Sequence, residues 1–226
     1  KQGGSLLRAL FLDARQYVDY EMIPLSARHV MVDVALADSN IKLASALMAT
    51  IQVPPDGTDK YFWELRRARI FVMGGNTEAG AESLSAILST NPKLSQEQLE
   101  RLLQVVFDLQ TVKAHDAAYD LFVKVMQRTH DPKLQRELYY WMAESRKASE
   151  AYAEAARLYL KSAMLLDPKA GDPWGQTARY QAADALAHAG MVRDARVLFQ
   201  QLLKTTKDPG RRAVLNRQLQ KLWLKQ

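Results

Sequence analysis

Apolar residues recur three and four positions apart through almost the whole chain, the period that places them on one face of an α-helix. The stripes are short and are separated by turn signals. GGNTEAG at 74–80, AHAGMVRD at 187–194 and KAGDPWGQ at 169–176 each combine a helix-stopping Gly with the Asp, Asn or Thr that opens a following helix. With ten Gly and eight Pro in 226 residues, the chain is poor in the residues that a loop-rich sandwich or barrel needs. An all-α fold is predicted.

The stripes come in pairs, and the pairs repeat. Units start near residues 25, 61, 99, 136 and 176, at intervals of 36, 38, 37 and 40. In QTARYQAADALAHAGMVRDARVLFQQLLKTTKDP, Gly190 ends a first helix, Ala195 and Phe199 stand four apart on a second, and Pro209 follows. The unit before it places Ala155, Tyr159, Ser162 and Pro168 in the same order. Ala118, Phe122 and Pro132 do so in the next, and Gly75, Gly80, Leu84 and Pro92 in the one before that. A degenerate unit covers 25–55, with Ser39 or Asn40 expected to cap its second helix. One helix pair cannot bury its apolar face alone. The small residue lets two helices approach, and the large residue four positions on fills the space between neighbours. Helices at 5–21 (Leu6, Leu10, Ala14, Tyr17) and 210–224 (Leu215, Leu219, Leu222) read as end caps, and no linker divides the chain, so a single domain is expected.

The Gly190, Ala195, Phe199 arrangement and its echoes resemble the tetratricopeptide repeat family, and the last two units look like bacterial envelope-associated members. The resemblance covers about two thirds of the chain. It departs from the family pattern early in each first helix, where Glu64, Leu102, Tyr139 and Arg179 stand. It implies a right-handed α-solenoid of about five helix hairpins, with repeats at 61–94, 99–132, 136–168 and 176–209. It also implies a non-catalytic scaffold or adaptor whose first helices line a concave groove. Transferred position by position, the groove comprises Phe62, Leu65, Arg69, Val72 and Met73, then Glu100, Leu103, Phe107, Gln110 and Thr111. Glu137, Tyr140, Glu144, Lys147 and Ala148 follow, and then Thr177, Tyr180, Asp184, Ala187 and His188. Phe107, Tyr140 and Tyr180 become aromatic rungs edged by Arg69, Glu144 and Asp184, and Arg66, Arg67 and Arg69 offer an acidic segment a basic turn of helix. The lysine and asparagine set with which some family members grip a chain terminus is replaced here by Arg69, Phe107, Glu144 and Asp184.

Candidate chemistry removes more than it adds. Without cysteine there is no disulfide, thiolate site or cysteine nucleophile. His29, His115, His130 and His188 are never three or four apart, as a helical metal pair requires, and no P-loop, GxSxG, HExxH or dinucleotide-binding glycine pattern occurs. No enzymatic activity, cofactor, metal or small-molecule substrate is therefore expected. A protein or peptide partner is, with a homo-oligomer as the alternative. The net charge of +6 resides wholly in residues 201–226, where Lys204, Lys207, Arg211, Arg212, Arg217, Lys221 and Lys225 face Asp208 alone. The Arg211, Arg212, Arg217, Lys221 surface is the one place that suits an anionic lipid or nucleic acid, and neither is expected as the main partner. Lys1 in place of an initiating Met fits a segment of a longer protein. Compartment stays open between cytoplasm and bacterial envelope, with a slight lean to the latter.

Overall fold

Six of the described α-helices begin where a side chain supplies an acceptor for the unpaired amides of a first turn. Asp131, Asp172 and Asp208 each accept from a backbone N–H of the helix they open, and each is followed by Pro. Proline at that position has no N–H to lose and already holds the helical φ. Pro132 and Pro209, which the sequence places at the close of a repeat, thus open the next helix. Asp167-Pro168 differs: its carboxylate accepts from Lys169 and Gly171 and closes a turn. Ser95 and Gln98 form a reciprocal capping box, and Asn40 caps through Leu43 N–H.

The computed structural model describes Leu6, residues 9–13 and residues 19–224, and among these the chain is helical and without strands. The helices are α1 (Leu25–Ala37), α2 (Ile41–Ala49), α3 (Lys60–Met73), α4 (Thr77–Thr90), α5 (Gln96–Thr111) and α6 (His115–Met126). They continue with α7 (Pro132–Ala148), α8 (Tyr152–Met164), α9 (Pro173–His188), α10 (Val192–Thr205) and α11 (Pro209–Trp223). Of the expected N-terminal capping helix, residues 5, 7, 8 and 14–18, with Ala14 and Tyr17, lie outside the described residues. Ala9–Asp13 form a π-helical turn and Tyr20–Met22 a 3-10 turn.

One turn recurs five times. Ser39, Gly75, Lys113, Glu150 and Gly190 all have positive φ, between 58° and 91°, and follow one another at intervals of 36, 38, 37 and 40 residues. After each, an amide reaches back five residues: Asn40 to Ala35, Asn76 to Phe71, Ala114 to Leu109, Ala151 to Arg146 and Met191 to Leu186, all at 2.8–2.9 Å. This closure satisfies carbonyls that a helix C-terminus leaves unpaired. Gly75 and Gly190 reach the left-handed region without strain, whereas Ser39, Lys113 and Glu150 do so with a Cβ.

The chain forms two compact units, residues 1–117 and 118–226. In the first, Ile23, Met31, Val32, Ala35, Ala44, Leu47, Met48, Ile51, Trp63, Ile70 and Phe71 form a core among α1, α2 and α3. Helix α3 packs on both α4 and α5. The approach of α4 to α3 depends on Gly80, where a Cβ would come within 2.5 Å of Val72 Cγ2 and 3.1 Å of the Ala68 carbonyl oxygen. Gly80→Ala is expected to lose about 1 kcal/mol net, because overpacking at ~1–3 kcal/mol outweighs a gain in helix propensity of ~1 kcal/mol. The check is a lower urea midpoint, and an unchanged or higher midpoint refutes the close-packing role.

In the second unit α7, α8, α9, α10 and α11 pack each on the next. Ala155 and Tyr159 of α8, and Ala195 and Phe199 of α10, are fully or almost fully buried, as are Ala118 and Phe122 of α6.

Candidate partner-binding groove

In the first unit, the N-terminal parts of α3 and α5 border an open groove of about 400 Å³, lined by Phe62, Leu65, Arg66, Arg69, Glu97, Arg101, Gln104 and Val105. Asp59 caps α3 by accepting from Phe62 N–H at 3.0 Å, and Phe62 stands at the mouth of the groove. Leu65 and Val105 are buried and form an apolar floor. Tyr61 holds the two helices together, its hydroxyl donating to the Gln98 carbonyl oxygen at 2.6 Å, and burial pushes its pKa up to about 12.

The rim is charged. Arg69 Nε lies 2.8 Å from Asp108 Oδ2, Arg66 pairs with Asp33 of α1, and Arg101 pairs with Glu97 at 3.0 Å while its guanidinium lies 5.5 Å from the centre of the Phe62 ring. Of the sequence-derived positions on α3, Phe62, Leu65, Arg66 and Arg69 line the groove, whereas Val72 is fully buried and Met73 is exposed outside it. On α5 the facing residues are Glu97, Arg101, Gln104 and Val105, offset by about one position from Glu100, Leu103 and Phe107. Phe107 sits half-buried on α5, is not among the lining residues, and leaves Phe62 as the aromatic group of the groove.

In the second unit the corresponding positions are brought together but are occupied by one another. The Tyr140 ring packs edge-on against Tyr159 at 5.3 Å and at a tilt against Trp174 at 5.2 Å. Burial, and then the neighbouring Glu144 carboxylate, pushes the Tyr140 hydroxyl up to about 12. Glu144 accepts from the Tyr159 hydroxyl at 2.6 Å, and that hydroxyl is also pushed upward, first by burial. Lys147 of α7 donates to Gln181 at 2.9 Å and to Asp184 at 2.8 Å, both on α9, and His188 Nδ1 lies 2.9 Å from the Asp184 carbonyl oxygen. Tyr180 accepts from Gln218 of α11 at 3.0 Å and packs edge-on against Phe199. The cavity beside Tyr180 and α11 measures about 20 Å³.

The basic end of the chain is partly committed to its own fold. Arg211 donates to Gln176 and Thr177 on α9, and Arg212 donates to the Leu203 and Thr206 carbonyl oxygens, closing the C-terminus of α10. Arg217 and Lys221 are exposed on α11.

Arg136 was missed by the sequence reading. It is 7% exposed, and its guanidinium donates to both oxygens of Asp172 at 2.6 and 2.7 Å and to the Ser162 carbonyl oxygen at 3.1 Å. Ser162 Oγ in turn donates to the Arg136 carbonyl oxygen and accepts from the Trp174 indole N–H. One side chain of α7 thereby ties the end of α8 to the start of α9.

Among the described residues no three His, Asp or Glu side chains gather as metal ligands would, and no helix is long and apolar enough to cross a membrane. No protein-family model matches the chain, and no curated protein matches it. Among solved structures, a mutant of MamA is similar, with 19% sequence identity over 79% of this chain and 95% of that one, at a TM-score of 0.44.

Proposed function

We propose that the chain is a non-catalytic protein-interaction module, a divergent relative of the tetratricopeptide scaffolds, that holds a peptide segment of a partner in the groove between α3 and α5. One observation carries this reading. The groove of the first unit is open over an apolar floor, whereas the same helix face of the second unit is filled by its own Tyr140, Lys147, Asp184 and Tyr180 side chains. An open, apolar-floored cleft between rigid helices with a polar rim is the form that recognition of a short segment takes. The recurrent turn supports a repeat architecture, and the internal commitments of Arg211 and Arg212 weigh against the basic end as the main binding surface.

The test is selection of short displayed random peptides on the whole chain, beside Gln104→Trp, which fills the groove from an exposed position, and Phe62→Asp, which charges its mouth. Peptides recovered by the native chain are expected to bind both variants about tenfold or more weakly, a loss of ~1.4 kcal/mol or more, with unchanged circular dichroism. Peptides that bind all three chains equally place the site elsewhere, and no enrichment over an unrelated helical protein refutes peptide binding.

A further inference from the structure

We infer that the segment held between α3 and α5 is an internal acidic one: an apolar side chain seated on Phe62, Leu65 and Val105, with carboxylates on both sides of it received by Arg66, Arg69 and Arg101. The inference rests on the groove reading above and adds the chemistry of the occupant.

The lining residues carry three guanidinium groups against one carboxylate, that of Glu97. The three stand on opposite walls, Arg66 and Arg69 on α3 and Arg101 on α5, so guanidinium groups flank the apolar floor from both directions. A free chain terminus offers its carboxylate at one end only. An internal segment with acidic residues before and after its anchor meets both walls. Each guanidinium already has a carboxylate of this chain beside it, yet the arginine side chains remain 46%, 57% and 55% exposed. Ion pairs as exposed as Arg66–Asp33 and Arg101–Glu97 hold by well under about 1 kcal/mol each in water, so an arriving carboxylate exchanges with them at little cost. A planar guanidinium takes such a carboxylate through two parallel hydrogen bonds, which a lysine cannot do. The Arg101 guanidinium, 5.5 Å from the centre of the Phe62 ring, sets one charge next to the apolar seat.

Peptides recovered in the selection are resynthesised with a fluorophore, once as found and once with every Asp and Glu replaced by Asn and Gln. Binding to the whole chain is followed by anisotropy at low and high salt. The recovered sequences are expected to show Asp or Glu on both sides of an apolar residue. The amide versions are expected to bind about tenfold more weakly, and the affinity of the acidic versions alone is expected to fall with salt. Asp33→Asn releases Arg66 from its internal partner. It is expected to tighten the acidic peptides about threefold, the scale of one exposed ion pair, and to leave the amide versions unchanged. Arg101→Glu is expected to abolish the preference for acid. Amide versions that bind as well as the acidic ones, and are still lost with Gln104→Trp, overturn the inference and leave the groove reading standing. Binding that ignores Gln104→Trp overturns both. Single-stranded oligonucleotides that bind the groove where acidic peptides do not overturn the inference in favour of a phosphate ligand.

Discussion

Arg136→Ala is expected to destabilise the protein by about 3 kcal/mol, at the lower end of the cost of breaking a buried ion pair, read as a lower urea midpoint with the slope unchanged. The lower end applies because the Asp172 side chain is 36% exposed and regains water once its partner is gone. The carbonyl oxygen of Ser162 does not, since it loses its donor inside the fold. Trp174, bonded to Ser162 and close to the guanidinium, reports the change through its fluorescence. The effect carries a pH signature. The hydrogen bond from Arg136 and that from Gly175 N–H hold the Asp172 carboxyl below its usual range. Its folded-state pKa is therefore lower than its unfolded one, so its contribution to stability is complete above the unfolded value of ~4 and disappears as pH falls through the folded value. Arg136→Ala is expected to flatten that acid limb. Asp172→Asn is expected to flatten it too, at a loss of stability at least as large, because it leaves the buried Arg136 guanidinium without its counter-charge. A loss below about 1 kcal/mol for Arg136→Ala, within the range of an ordinary surface substitution, refutes the role assigned to this residue.

Phe199→Ala is expected to cost about 3–5 kcal/mol, the range for emptying a buried aromatic site. Phe199 is 1% exposed and lies in a cluster with Ala183, Ala195, Leu202, Leu215 and Leu222, so its removal opens a void bounded by three helices. Tyr180 borders the same void, and the loss of its edge-on partner is expected to free its ring. The measurements are the denaturant midpoint and exchange protection of α10 and α11 amides. Protection confined to other helices is expected to persist longest, and uniform retention of protection sinks the prediction. Phe199→Leu, which leaves a much smaller void, is expected to recover more than half of the loss.

The repeat was legible in the sequence because two of its constraints are strictly local. A small residue must sit where two helices touch, as Gly80, Ala155 and Ala195 do, and a large residue must follow four positions on, as Leu84, Tyr159 and Phe199 do. Both leave marks at fixed spacing. The meaning of Asp-Pro was less legible, because Asp131-Pro132 and Asp208-Pro209 open helices whereas Asp167-Pro168, identical as a dipeptide, closes a turn. The backbone hydrogen bonds that decide between them depend on the residues beyond. The groove was half legible. On α3 Phe62, Leu65 and Arg69 line the groove whereas Val72 and Met73 do not, and on α5 the lining residues Arg101 and Gln104 stand one position past the transferred Glu100 and Leu103. Tyr140 and Tyr180 read as rungs because an aromatic residue on a helix face looks the same whether a partner or a neighbouring helix covers it. Arg136 left no trace, because its acceptors lie 26 to 36 residues away and include main-chain carbonyls, which no side-chain pattern encodes.

The five left-handed turns have a consequence for how such an array can diverge. Each is closed by main-chain groups alone, through an amide reaching back over a fixed number of residues, and its key position is held here by Ser, Gly, Lys, Glu and Gly in succession. That closure is nearly blind to side-chain identity and intolerant of a change in count. Helices α1, α3, α5, α7 and α9 range from 13 to 17 residues, so the variation in repeat length has been absorbed by the helices and by the connections between hairpins. Mutations of composition and mutations of length thus fall on separate parts of each repeat. An array built this way can change the side chains of its turns freely and still keep its helices in phase.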